Sequence, residues 1–189
     1  MSNPAAVSAQ RSKVYNMTTT AVMTAVICVL APLAVPIGPV PISLTNLAVY
    51  FALYILGWKL GTLSYVIYLL LGMFGAPVFS GFAGGMGKLL GPTGGYIIGF
   101  IPMAVIGGLA IERFTRRGLH FAGMVLGTLV CYAFGTAWFC RTAHMAAIPA
   151  LSVAVFPFIP GDLAKILLAM TLGPVIRERL CQAGFLTRA

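Results

Sequence analysis

Two residues of opposite charge stand three positions apart at the head of an apolar run, PFIPGDLAKILLAM, where Asp162 and Lys165 sit among aliphatic side chains. On a helix this spacing places both on one face. A carboxylate only accepts hydrogen bonds and an ammonium only donates them. Together they suit a small molecule that presents N–H groups beside a carbonyl or carboxylate. Ionisable groups inside apolar segments are costly, and a binding site is their default explanation. Two plainer accounts compete: the pair neutralises itself, or Asp162, following Pro160-Gly161, caps the amino end of the last helix.

Other chemistry is poorly supported. No Ser/His/Asp set, zinc motif or second clustered carboxylate accompanies the pair, so binding outranks catalysis, and a membrane-embedded enzyme is the weaker reading. Cys140 and His144 stand four apart, within reach of one helix face, but without the further ligands a metal needs. The loop GAPVFSGFAGGMGKLLGPTGG (75–95) holds eight glycines. It is not a phosphate loop, because Phe82 and Leu89 occupy the positions where that motif requires glycine and Ser/Thr around Gly87-Lys88. Its glycines either let bare backbone approach a small ligand or let the loop pack tightly.

These residues belong to a chain built for a bilayer. Of its 189 residues 60% are hydrophobic and 8% charged, with mean hydropathy +0.99; soluble domains carry about 25% charged residues. The formal charge of +9 would suggest nucleic acid in a soluble protein. Here its distribution matters more, and no nucleic-acid partner is expected. Apolar segments at 17–35, 44–58, 60–74, 96–111, 121–140 and 162–177 predict six membrane helices in one domain, 1–189, after a cytoplasmic tail, 1–16. The start resembles a signal peptide, but its apolar stretch runs on to Val35 without a small-residue cleavage site, so an uncleaved first span is expected. One helix over 44–74 would run about 46 Å, too long for an upright span. Gly57-Trp58-Lys59-Leu60-Gly61 is therefore read as a tight interfacial turn.

With cytoplasmic termini, this count puts Arg11, Lys13, Lys59, Arg113, Arg116, Arg117, Arg177, Arg179 and Arg188 inside. Only Lys88, Arg141 and Lys165 remain outside, a positive-inside pattern. Glu112 and Glu178 fall at inner helix ends beside arginines, which leaves Asp162 as the one outer acid. The outer connections, VPIGPVPIS (35–43), the glycine loop and the apolar stretch from Arg141 to Pro160, look like walls and lid of an outward-facing pocket. Such loops persist near a membrane only when packed on protein or lining a cavity. Gly95-x-x-x-Gly99 and Gly123-x-x-x-Gly127 read as close-packing strips, as does Ala21-x-x-x-Ala25.

Three ordered stretches, GPVPISL (38–44), GAPVFSGFAGGMGKLLGPTGGYIIGF (75–100) and PFIPGDLAKI (157–166), resemble the BioY-type biotin transporters. These are substrate-binding S-components of energy-coupling-factor (ECF) transporters, and the six-segment pattern extends the likeness over nearly the whole chain. The family commonly has Gln-Thr where this chain has Thr45-Asn46, which puts a ligand contact from that position in doubt. The resemblance implies an all-α bundle in the cytoplasmic membrane that captures biotin outside without a cofactor. It also implies, as partners, a T-component and two cytosolic ATPase subunits. The ligand contacts expected on this basis are Asp162, Lys165, Phe79, Ser80, Gly84, Gly85, Thr93, Gly94, Gly95 and Tyr96. Asp162 would accept the ureido N–H groups, and Lys165 would donate to the carbonyl or the carboxylate. Ala21 and Ala25 match the family's docking strip for the T-component. The alternative is an S-component-like carrier of another vitamin, thiamine or riboflavin.

Overall fold

The computed structural model describes residues 4–35 and 40–185. The Pro-rich residues 36–39, the start of the expected tail (1–3) and the end of the other (186–189, with Arg188) lie outside the described residues. The helices are α1 (Pro4–Leu30), α2 (Thr45–Met73), α3 (Met86–Leu90), α4 (Gly94–Arg113), α5 (Arg117–Ala143), α6 (Ala147–Ala154) and α7 (Ile159–Gln182). Two short strands, β1 (Ala34–Val35) and β2 (Ile42–Ser43), pair antiparallel with Ala34 opposite Ser43. They are the departure from an all-helical chain among the described residues. Five of the helices, α1, α2, α4, α5 and α7, are long and apolar enough to cross a bilayer.

Several boundaries differ from expectation. The helix α1 begins at Pro4, so most of the supposed tail, 1–16, is helical. It ends at Leu30 rather than Val35, because Pro32 disfavours helical geometry in the residue before it. The chain then turns into β1, whose partner β2 delivers Ser43 to the site described below. In the connection 141–160, expected to be an outer one, α6 forms an eight-residue helix.

Within α2 the backbone is non-helical at Gly57 (φ 80, ψ 176), a conformation essentially confined to glycine. A Cβ on Gly61 would lie 3.0 Å from the Ala52 carbonyl. Nine residues along a straight helix would separate these positions by about 13 Å. The halves 45–56 and 58–73 therefore fold back against each other. Glu112 of α4 stands at this reversal, where its Oε2 accepts from the Trp58 backbone N–H at 3.4 Å.

The pair α4 and α5 packs closely because small residues bring the two backbones together. Side chains at Gly95, Gly99, Gly123 and Gly127 would run into Trp138, Cys131, Ala110 and Met103 respectively. The ends of the bundle differ in chemistry. Tyr54 lies beside His120 (ring centroids 6.1 Å apart) and its carbonyl accepts from Arg177 Nη1 at 3.5 Å. That end gathers Lys59, Arg113, Arg116, Arg117 and Arg177. The other end carries Asp162 and Lys165, and between the two lies a core rich in tyrosine, with Tyr50, Tyr65 and Tyr68 fully or almost fully buried.

Candidate functional site

Asp162 occupies the first turn of α7, where the helix dipole favours a negative charge. It is not the N-cap: the helix begins at Ile159, Phe158 holds the cap position, and the Asp162 backbone N–H is already committed to the Phe158 carbonyl at 2.8 Å. The carboxylate instead points across the bundle. Its Oδ1 accepts from Asn46 Nδ2 (2.8 Å) and from Lys165 Nζ (3.1 Å), and its Oδ2 accepts from the Tyr132 hydroxyl (2.6 Å). One carboxylate thus ties together α2, α5 and α7. Lys165 donates a second bond to the Ser43 carbonyl of β2 at 2.8 Å, which the short hairpin positions. The Lys165 and Asp162 side chains retain 12% and 11% exposure, and this is the one ion pair among the described residues.

Both charged side chains border a cavity of about 80 Å³. Its polar lining includes Ser43, Thr45, Asn46, Ser80, Thr93 and Thr128, and its aromatic lining includes Tyr65, Tyr68, Tyr96, Tyr132, Phe100 and Phe158. Several of these rings are fixed by their hydroxyls. Tyr65 donates to the Ile97 carbonyl at 2.7 Å, and Tyr96 shares a 3.1 Å bond with Thr136. The result is a cavity walled by rings and small polar side chains, with a carboxylate acceptor and an ammonium donor side by side in its lining. That combination suits a small, flat molecule with a polar head.

Of the expected contact residues, Asp162, Lys165, Ser80, Thr93 and Tyr96 line the cavity. Phe79, Gly84, Gly85, Gly94 and Gly95 do not border it. Phe79 is wholly buried behind the wall, edge-on to Tyr68 at 5.7 Å, so it supports a lining ring. Gly84 and Gly94 pack on the Ala76 and Leu89 carbonyls, and Gly95 packs on Trp138, leaving no room for a Cβ. Gly85 takes φ +86 and donates to the Gly72 carbonyl at 2.7 Å. Gly84 thus packs within the loop, Gly94 packs at the start of α4, and Gly95 packs between α4 and α5.

Asn46 and Tyr132 were not foreseen as partners of the pair. Asn46 carried a readable signal, being the sole asparagine after residue 16 and lying at the start of an apolar segment. Tyr132 is one of seven tyrosines and carried none. Cys140 and His144 do not share a continuing helix: α5 ends at Ala143, and His144 turns into the left-handed conformation (φ 50). On α1, Ala21 and Ala25 are exposed and line an apolar groove against Leu60, Leu63, Ile67 and Leu71 of the second half of α2.

Comparison with known proteins bears on this arrangement. A protein named biotin transporter BioY from Thermotoga maritima is 41% identical over 149 residues, 78% of this chain and 87% of that protein. A probable biotin transporter BioY from Pyrococcus horikoshii is 41% identical over 150 residues, 79% and 86% of the two chains. The crystal structure of the S-component for biotin from an ECF-type ABC transporter superposes with a TM-score of 0.81 at 32% identity, covering 94% of this chain and 95% of that one. The model of the BioY family matches residues 4–182. The chain belongs to the BioY family.

Proposed function

We propose that this chain is the biotin-binding specificity subunit of an ECF transporter, capturing the vitamin at the outer face of the cytoplasmic membrane. The observation that carries this reading is the buried Asp162–Lys165 pair in the lining of a ring-walled cavity, with an acceptor beside a donor. Biotin's fused-ring head presents N–H groups next to a strongly accepting carbonyl, which complements that pair. Its apolar ring edges suit walls of tyrosine and phenylalanine. The family membership and the biotin S-component likeness favour this ligand over thiamine or riboflavin.

In this reading α1, the two halves of α2, α4, α5 and α7 make six spans, with the reversal at Gly57 lying at the inner surface. The concentration of Lys59, Arg113, Arg116, Arg117 and Arg177 at one end supports cytoplasmic termini and an outward-facing pocket. Energy for release comes from a T-component and two ATPase subunits, and the exposed Ala21–Ala25 strip is the T-component's contact. The chain itself binds and carries out no reaction.

The direct test is equilibrium titration of the purified protein in detergent or nanodiscs with biotin, thiamine and riboflavin. Saturable binding of biotin alone is expected. Preference for either other vitamin would replace biotin as the substrate.

A further inference from the structure

Building on the biotin-binding reading, we propose that Asn46 and Tyr132 are positioning residues that limit what Asp162 can bind: the site reads one H–N–C=O edge of the ligand's ring and not both N–H groups. An ionised carboxylate offers about four lone-pair positions. Asn46 and Lys165 occupy both on Oδ1, and Tyr132 occupies one on Oδ2. A single acceptor position, on Oδ2, is left for a ligand. The ammonium has three N–H groups. The Ser43 carbonyl takes one and Asp162 takes another, so a single donor is left as well.

One acceptor and one donor on adjacent side chains match one N–H and the neighbouring carbonyl of a cyclic urea or lactam. The second urea N–H, on the far side of that carbonyl, finds no capacity at the carboxylate. The polar groups are also held in place. The side-chain amide of Asn46 is oriented by the Leu47 backbone N–H, which donates to its Oδ1 at 3.0 Å, so Nδ2 must face Asp162. Asn46 is 4% exposed and Asp162 8%, which leaves little water to substitute for a missing partner.

The test uses the full chain in detergent, with biotin and its two singly N-methylated ring isomers as probes. On the native protein, one isomer should bind within a fewfold of biotin. The other should weaken by about tenfold or more, the equivalent of one lost charge-assisted bond. Tyr132→Phe frees a second position on Oδ2, and Asn46→Leu frees one on Oδ1. Each should weaken biotin and also narrow the gap between the isomers. A merely structural role would instead lower all three affinities in proportion and leave that gap unchanged. Equal weakening by both methylations on the native chain, or an unaltered gap in a folded Tyr132→Phe protein, overturns the proposal while leaving biotin binding intact. Failure of the native chain to bind biotin at all refutes both readings.

Discussion

Replacing Asp162 by asparagine keeps the side chain's shape while removing its charge and converting one oxygen into a donor. The new amide cannot turn its N–H₂ toward Asn46 Nδ2 and Lys165 Nζ, because both of those are donors already aimed at Oδ1. It must face Tyr132, whose hydroxyl can rotate to accept. The N–H₂ then occupies the Oδ2 position, where the ligand's N–H would arrive, and donor meets donor. A hydrogen bond to a charged group contributes about 1.5–3 kcal/mol, so biotin binding should weaken about ten- to a hundredfold or more. Stability should fall too. Breaking a buried ion pair costs up to about 3–5 kcal/mol, reduced here because Lys165 keeps the Ser43 carbonyl and some exposure. Asp162→Asn combined with Lys165→Met removes the stranded ammonium and should recover most of the apo melting temperature without recovering affinity. Calorimetric titration and thermal melts of both variants make the measurement. A stable double variant that binds biotin like the native chain would show the pair to be self-neutralising structure, and the site assignment would fail.

Three other outcomes can be checked. Single cysteines near Arg116 should label from the cytoplasmic side and near Lys88 from outside; the reverse pattern would invert the pocket. Ala21→Trp or Ala25→Leu should leave biotin binding intact but impair ECF-dependent uptake and complex assembly, since both positions are exposed away from the cavity. Undiminished uptake by both variants would remove this strip as the docking surface. Gly57→Ala should destabilise the protein by about 1–3 kcal/mol, because φ 80 with ψ 176 excludes a Cβ at little less than that cost. An unchanged melting temperature would mean that the reversal does not depend on that conformation.

Much of this molecule is legible in its sequence because membranes penalise exceptions. With charged residues at 8% of the chain, each one inside an apolar run stands out, and Asp162 and Lys165 are visible for that reason. The reversal within α2 is equally legible, since glycine, tryptophan and lysine, residues common at a membrane interface, together interrupt 44–74. The glycine strips of α4 and α5 announced close packing, and side chains do fill the space opposite them.

What the tertiary structure decided is how the carboxylate is used. Uncharged polar residues cost little enough in an apolar span that Tyr132 is unmarked, and Asn46 is marked only by the rarity of asparagine, with nothing to say what it meets. Their meaning arises only when α2, α5 and α7 converge on Asp162 from positions 116 and 30 residues away in the chain. The same holds for the glycine loop. Its composition permits backbone contact with a ligand or tight packing with equal ease. Only the tertiary structure shows that Gly84, Gly94 and Gly95 lie too close to Ala76, Leu89 and Trp138 to carry a side chain. Composition and periodicity report the free energy of each segment with its solvent, so they reveal the bilayer and the charges that defy it. Which polar group meets which across the bundle depends on helix rotation and depth, and these are set by packing between segments distant in sequence.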